Sequence, residues 1–175
     1  MKINGDLIIS ETNTKLKDTI NPTFSYAQMK TSFTTKRLET EQKITDWDYN
    51  VTIGGFYCST SNGYLLVPAG TAQVIEIKGI LCGSGYCNAY FRIEYGNGAE
   101  FNWNAAGYSW QAPGILTQPQ GNGYWKLPMP SITIRIPDTT KDLYIYLMVS
   151  PYNQSYFDMN AGFGAASWMS VTKIV

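Results

Sequence analysis

Ser131-Ile132-Thr133-Ile134-Arg135-Ile136-Pro137 decides the fold class. Isoleucine alternates with polar residues at a period of two. Pro137, which has no amide hydrogen to donate, stops the run. The stretch therefore reads as a strand with one buried face. A few residues on, Leu143-Tyr144-Ile145-Tyr146-Leu147-Met148-Val149 is apolar on both faces. Leu143, Ile145, Leu147 and Val149 point one way; Tyr144, Tyr146 and Met148 point the other. A strand of an antiparallel sandwich normally shows one wet face. The tyrosine face thus needs a cover, from a loop of the same chain or from a neighbouring subunit. In the second case Tyr144, Tyr146 and Met148 are the oligomer-interface residues, and a threefold interface of aromatic strand faces accounts for them.

Other strand signals lie on either side. Val74-Ile75-Glu76-Ile77-Lys78 continues through Ile80-Leu81 to Gly83-Ser84-Gly85, and Tyr90-Phe91-Arg92-Ile93-Glu94-Tyr95 follows. The glycine-rich turn predicts a hairpin joined at residues 83 to 86. Such a hairpin sets Cys82 opposite Cys87, where a disulfide could form in an oxidising medium. Three cysteines and no secretory leader favour thiols instead. Tyr64 to Val67, Val51 to Tyr57 and Ala165 to Val175 complete a set of seven to nine short strands, with almost no helix signal. The expected fold is all-β: an antiparallel β-sandwich of jelly-roll type over residues 23–175, with a closed barrel as the alternative.

Composition removes several functions. Thirteen basic and thirteen acidic residues cancel, and no basic block stands out. Nucleic-acid binding, which needs clustered positive charge, is not expected. Without histidine, Ser-His-Asp and Cys-His catalysis and His-ligated zinc are ruled out. Three scattered cysteines do not match a zinc spacing either, so neither a metal nor another cofactor is expected. No apolar run approaches ~20 residues, so no helical membrane insertion is expected. The opening Met1 to Asp6 has no apolar core of a secretory leader, which fits synthesis in the cytoplasm. Only 15% of residues are charged, while thirteen are tyrosine. Tyrosine joins a flat apolar body to a hydroxyl, which suits interfaces and polyol ligands as well as strands.

Between residues 96 and 130 the alternation fades into glycine- and proline-rich connections that carry aromatic residues. Trp103, Trp110, Tyr124 and Trp125, interleaved with Asn102, Asn104 and several glutamines, are the candidate ligand-binding residues. Aromatic rings stack on the C–H face of a pyranose while amides bind its hydroxyls. The plainer role for the same rings is to pin long loops onto the sandwich. For an enzyme, a carboxylate pair is the remaining route. Asp46/Asp48, Glu94/Glu100 and Asp138/Asp142 are the visible pairs, each beside turn signals where solvated acids are common. No catalytic residue is assigned, and the chain is not expected to be an enzyme.

The N-terminal segment, residues 1–22, differs in character. Asn4-Gly5 with apolar flanks is a hairpin cue, but too little chain precedes it for a self-contained hairpin. Partner chains supplying the missing pairing would make sense of it. Leu16 and Ile20, four apart, allow one or two helical turns before Asn21-Pro22. Lys2-Ile3-Asn4-Gly5-Asp6-Leu7-Ile8-Ile9-Ser10, followed by Thr14-Lys15-Leu16-Lys17-Asp18-Thr19-Ile20, resembles the short ribbon-and-linker segments ahead of the heads of phage tail fibres and related receptor-binding proteins. The remainder is similar in style to their trimeric jelly-roll heads, down to the closing strand Ser167 to Val175. The resemblance implies a homotrimer in the virion, attached to other virion proteins through its N-terminus. It also implies binding of a host-surface receptor, with a glycan as the expected ligand. A purely structural collar, head-fibre or decoration protein is the alternative, followed by a polysaccharide depolymerase. The resemblance carries no binding residue across, because the loops match no motif of the family.

Overall fold

A computed structural model gives the fold. It describes residues 8–9, 14–15, 24–32, 34–99, 101–103, 105–106, 115–116, 125–151, 156–160 and 166–175, with the backbone alone for 8–9, 14–15, 115–116 and 125–127. Among the described residues there is no helix, and the strands pair antiparallel throughout. In chain order these strands are β1 (Ile8–Ile9), β2 (Thr14–Lys15), β3 (Tyr26–Lys30), β4 (Lys36–Leu38), β5 (Gln42–Lys43), β6 (Tyr49–Ile53), β7 (Tyr57–Ser59) and β8 (Tyr64–Val67). There follow β9 (Val74–Gly85), β10 (Cys87–Tyr95), β11 (Ile115–Leu116), β12 (Trp125–Pro128), β13 (Ile132–Arg135), β14 (Leu143–Pro151), β15 (Phe157–Met159) and β16 (Trp168–Lys173).

Two sheets form the sandwich. The smaller runs β11-β10-β14-β8-β7, with β5 beside β14; the larger runs β4-β15-β9-β16-β3-β6, with β12 and β13 on the other flank of β9. The predicted strand at Ser131–Pro137 is β13, and Ile132 and Ile134 are buried while Thr133 and Arg135 are exposed. In β14 the sequence alternation decides which face is core: Leu143, Ile145, Leu147 and Val149 are fully buried. They meet Leu65 and Val67 of β8 and Ala89, Phe91 and Ile93 of β10 in one core with Ala27, Met29, Ile75, Ile77 and Val171 of the larger sheet. Phe91 reaches across the layers. Its Cζ lies 3.2 Å from where a side chain on Gly79 of β9 would begin, so the glycine makes room for the ring.

The hairpin expected at residues 83 to 86 does not exist. β9 and β10 lie in different sheets, joined through Tyr86. The reason is that both edges of β9 are already taken. β12 and β13 run along one, and β15 and β16 along the other. Gly85, with φ of 111°, provides the bend that carries the chain from one layer to the next. Cys82 and Cys87 are consequently not cross-strand partners, and all three cysteines carry thiols. The run from Val51 to Tyr57 is likewise divided. β6 ends at Ile53, Gly54 and Gly55 turn with φ of 67° and 91°, and β7 begins at Tyr57.

β15 and β16 approach β9 end to end, leaving a seam beside Cys82 that side chains fill. The Cys82 amide donates to Ser167 Oγ (2.9 Å), and the Asn160 amide donates to the Cys82 carbonyl (2.7 Å). The Ser167 amide in turn donates to both Thr31 Oγ1 and Asn160 Oδ1, each at 3.0 Å. Thr31, Asn160 and Ser167 are all buried, so the seam satisfies backbone groups that no strand reaches.

At the N-terminus, β1 and β2 form a sheet of their own, with Ile8 opposite Lys15 and Ile9 opposite Thr14. The ribbon therefore does pair internally, though over two rungs and across residues 10–13 rather than at Asn4-Gly5. The Asn4-Gly5 turn and the helical turns expected at 16–20 lie outside the described residues.

Candidate functional site

The outer face of the smaller sheet is built by register. Opposite Tyr144, Tyr146 and Met148 of β14 stand Glu94, Arg92 and Tyr90 of β10. On the other flank, Leu66 and Tyr64 of β8 stand opposite Tyr144 and Tyr146, and Lys43 of β5 stands opposite Met148. Nine side chains thus form three rows of three: Glu94–Tyr144–Leu66, Arg92–Tyr146–Tyr64 and Tyr90–Met148–Lys43. Directly opposed side chains on one face sit about 4.5–5.5 Å apart at Cβ, so these rows are contact rows.

The contacts bear this out. The Tyr64 ring stands edge-on to Tyr144 (4.9 Å, 74°) and to Tyr146 (6.1 Å, 77°). The Lys43 ammonium lies 5.0 Å from the centre of the Tyr146 ring, within reach of a cation–π attraction. Arg92 and Glu94 pair at 2.5 Å. The Tyr90 hydroxyl donates to the Glu41 carboxylate. A depression of about 230 Å³ opens among Lys43, Arg92, Glu94, Tyr146 and Met148. Burial raises the Tyr146 hydroxyl above the ordinary phenol range, helped by Glu94 and the neighbouring tyrosines and opposed by Arg92. Burial and the Glu41 contact push Tyr90 up to about 12. Both phenols are neutral near pH 7 and so donate and accept hydrogen bonds. The face combines an aromatic ring, a compensated ion pair, hydroxyls, one ammonium and, at the Tyr90 end, the Glu41 carboxylate.

The cover that Tyr144 and Tyr146 required comes in part from the chain itself. Tyr64 and Lys43 lean over them, Met148 is 7% exposed, and both tyrosines remain half-buried. Sequence reasoning found the β14 residues, and Glu94 only as half of an acid pair with Glu100, but not Arg92, Lys43 or Tyr64. The alternation of Tyr90-Phe91-Arg92-Ile93-Glu94 places Tyr90, Arg92 and Glu94 on one face, which is the one local signal available. Their alignment with Tyr146 is set by pairing between segments distant in sequence.

In the loop cluster, Phe101 is buried against Tyr95 (5.8 Å), and Trp103 stands edge-on to Phe101 at 4.9 Å. This stretch anchors the start of the loop to the sandwich. Asn102 Oδ1 accepts the Ala105 amide at 3.0 Å, a local turn contact. Trp125 falls on β12, its backbone opposite Gly83. Asn104, Trp110, Tyr124 and the Trp125 side chain lie outside the described residues, as does Glu100.

A second depression, of about 290 Å³, is lined by Thr31, Ser32, Thr34, Thr35 and Thr45 together with Lys36, Asp46, Asp48, Met159 and Asn160. Its two carboxylates hold local structure: Asp48 accepts the Ser32 amide, and Asp46 lies 3.6 Å from the Lys36 ammonium. Asp138 binds Thr140 and Lys141, and Asp142 accepts the Ala69 amide. Among the described residues no cluster of three or more metal-ligating side chains occurs.

A third feature is the outer edge of the larger sheet. Tyr49, Val51 and Ile53 of β6 are 62%, 48% and 47% exposed. Ile53 stands opposite Tyr26, which stacks on Phe24 with an interplanar angle of 11°. Such an uncharged edge strand is uncommon on a protein that stays alone, since exposed edges invite pairing.

No family model matches this sequence, and no curated protein matches it.

Proposed function

We propose that the chain is a virion protein of the tail-fibre or baseplate class that binds a host-surface saccharide and works as a homotrimer. The observation that carries the reading is the three-by-three face around Tyr146. It offers a ring for the C–H side of a pyranose and, beside it, the donors and acceptors of Arg92 and Glu94 for hydroxyls. Concave surfaces on which a few polar groups converge are the usual form of small-ligand sites.

Strand order supports the architectural part. β3-β16-β9-β13 in one sheet and β8-β14-β10-β11 in the other follow the succession expected of two Greek keys wound as a jelly roll. Two features favour association of copies. A two-rung ribbon such as β1–β2 is marginal in isolation, and the β6 edge with Phe24 and Tyr26 presents apolar surface without like-charge repulsion. Attachment to other virion proteins falls to residues 1–22 in this reading.

The test is solution mass by light scattering, joined to a glycan-array screen of the full chain and of Tyr146→Ala. Trimeric mass with array binding lost in the variant supports the proposal; a monomer at micromolar concentration, or an array without any signal, overturns it. A second reading has a specific observation in its favour, namely that Tyr144 and Tyr146 are only partly covered by their own chain. They and Met148 would then be the subunit contact of a structural virion component with no affinity for the host. In that case Tyr146→Ala lowers the mass, and the array stays blank for both proteins.

A further inference from the structure

We infer that the depression beside Tyr146 selects a saccharide carrying one anionic group, with Lys43 as the residue that reads the charge. The inference rests on the saccharide-binding reading above and specifies its ligand. Size comes first. At about 230 Å³ the depression falls below the roughly 300–1,000 Å³ of pockets for drug-sized ligands, which suits a single sugar ring.

Charge comes second. Arg92 and Glu94 neutralise one another at 2.5 Å and together present a donor fork and an acceptor, the complement of vicinal hydroxyls. Lys43 is different. It is exposed, it is held over the Tyr146 ring, and among the described residues no carboxylate forms an ion pair with it. The residues that line the depression therefore carry one positive unit, placed where a substituent of a ring stacked on Tyr146 would project, while the Glu41 carboxylate lies outside the lining and is engaged by the Tyr90 hydroxyl. A carboxylate or phosphate ester on that ring gains a partner, a neutral ring does not, and a cationic ring is repelled. Because Lys43 is exposed, the gain is that of a solvent-screened pair, about fivefold in affinity, and it shrinks with added salt.

The experiment titrates the full chain, with the tyrosine rings labelled for NMR, with methyl glucuronoside, glucose 1-phosphate and methyl glucoside. Wild type is compared with Lys43→Gln and Lys43→Arg. The expected result is a shift of the Tyr146 ring signals and about fivefold tighter binding of one or both anionic sugars than of methyl glucoside. The preference should be lost in Lys43→Gln, retained in Lys43→Arg and weakened in high salt. Whether the uronate, the phosphate or both show it identifies the anionic group. Equal binding of all three sugars, or a preference that survives Lys43→Gln, overturns the inference and leaves the saccharide reading standing. So does silence at Tyr146 from a chain that still binds the glycan array. Silence at Tyr146 together with a blank array overturns both.

Discussion

Replacing Ser167 by alanine probes the seam between β15 and β16. The serine side chain is fully buried, and its Oγ accepts the amide of Cys82, itself 1% exposed. Alanine fits the space but removes the acceptor, so a buried N–H loses its partner on an edge of β9 that no strand covers at that point. An orphaned buried donor costs about 1–3 kcal/mol. The seam is closed on both sides, by the Asn160 amide on the Cys82 carbonyl and by Thr31 on the Ser167 amide, which leaves little room for a replacing water. The expected loss is about 2 kcal/mol, or roughly 4–8 °C in Tm for a chain of this size. Urea unfolding followed by tryptophan fluorescence measures it, with the slope held equal to that of the wild type. Thr31→Val should interact with Ser167→Ala non-additively, since Thr31 Oγ1 accepts the Ser167 amide and so holds the residue whose hydroxyl is removed. A loss below ~0.5 kcal/mol, within the usual range for surface changes, would refute the claim that the seam supports the sheet.

Three further outcomes are expected. Phe91→Ala, at the centre of the sandwich opposite Gly79, should cost about 3–5 kcal/mol in the same unfolding assay. Gly83→Ala should cost about 1–3 kcal/mol by overpacking. Its new methyl would lie 2.4 Å from the Phe157 ring and 2.6 Å from the Asp158 carbonyl, and the backbone partner cannot swing aside. Asp138, held by the Thr140 hydroxyl, Lys141 and the Thr140 amide, should titrate at about 2 instead of the ordinary 3.8, as carboxyl carbon shifts would show. Its folded value is depressed, so its contribution to stability is present above about 3.8 and disappears as pH falls through about 2. Asp138→Asn should flatten the stability profile in that window alone, and a midpoint near 3.8 would contradict the hydrogen bonding described.

Much of the fold is legible because strand periodicity is local. Ile132 and Ile134, Leu143 to Val149 and Tyr90 to Tyr95 each display their buried face in a few residues. Pairing is another matter. Gly83-Ser84-Gly85 signals a bend, and a bend between two strands reads as a hairpin unless one knows that β12, β13, β15 and β16 already occupy the edges of β9. Those partners come from up to 98 residues away, as Lys173 opposite Ile75 shows, so no local rule reports them. The candidate site is legible by halves for the same reason. Tyr144 and Tyr146 stand out as apolar residues on the wrong face, while Lys43 belongs to a two-residue strand with no pattern of its own. Trp103 shows the opposite limit: an aromatic residue in a glycine-rich loop has the same local signature whether it awaits a ligand or, as here, rests on a buried phenylalanine.

The lane that β16 occupies has a consequence for biosynthesis. Because β16 enters between β3 and β9, the earliest and latest long strands become neighbours, and Tyr26 ends up beside Thr172. During synthesis, β3 and β9 lack the strand that bridges them until residues 168–173 have emerged from the ribosome. Closure of the sheet is dominated by such distant contacts, on the millisecond-to-second scale of β-rich topologies. Premature termination before Trp168 yields a polypeptide whose facing edges of β3 and β9 lack the one strand that fills the gap between them, a natural substrate for holdase chaperones.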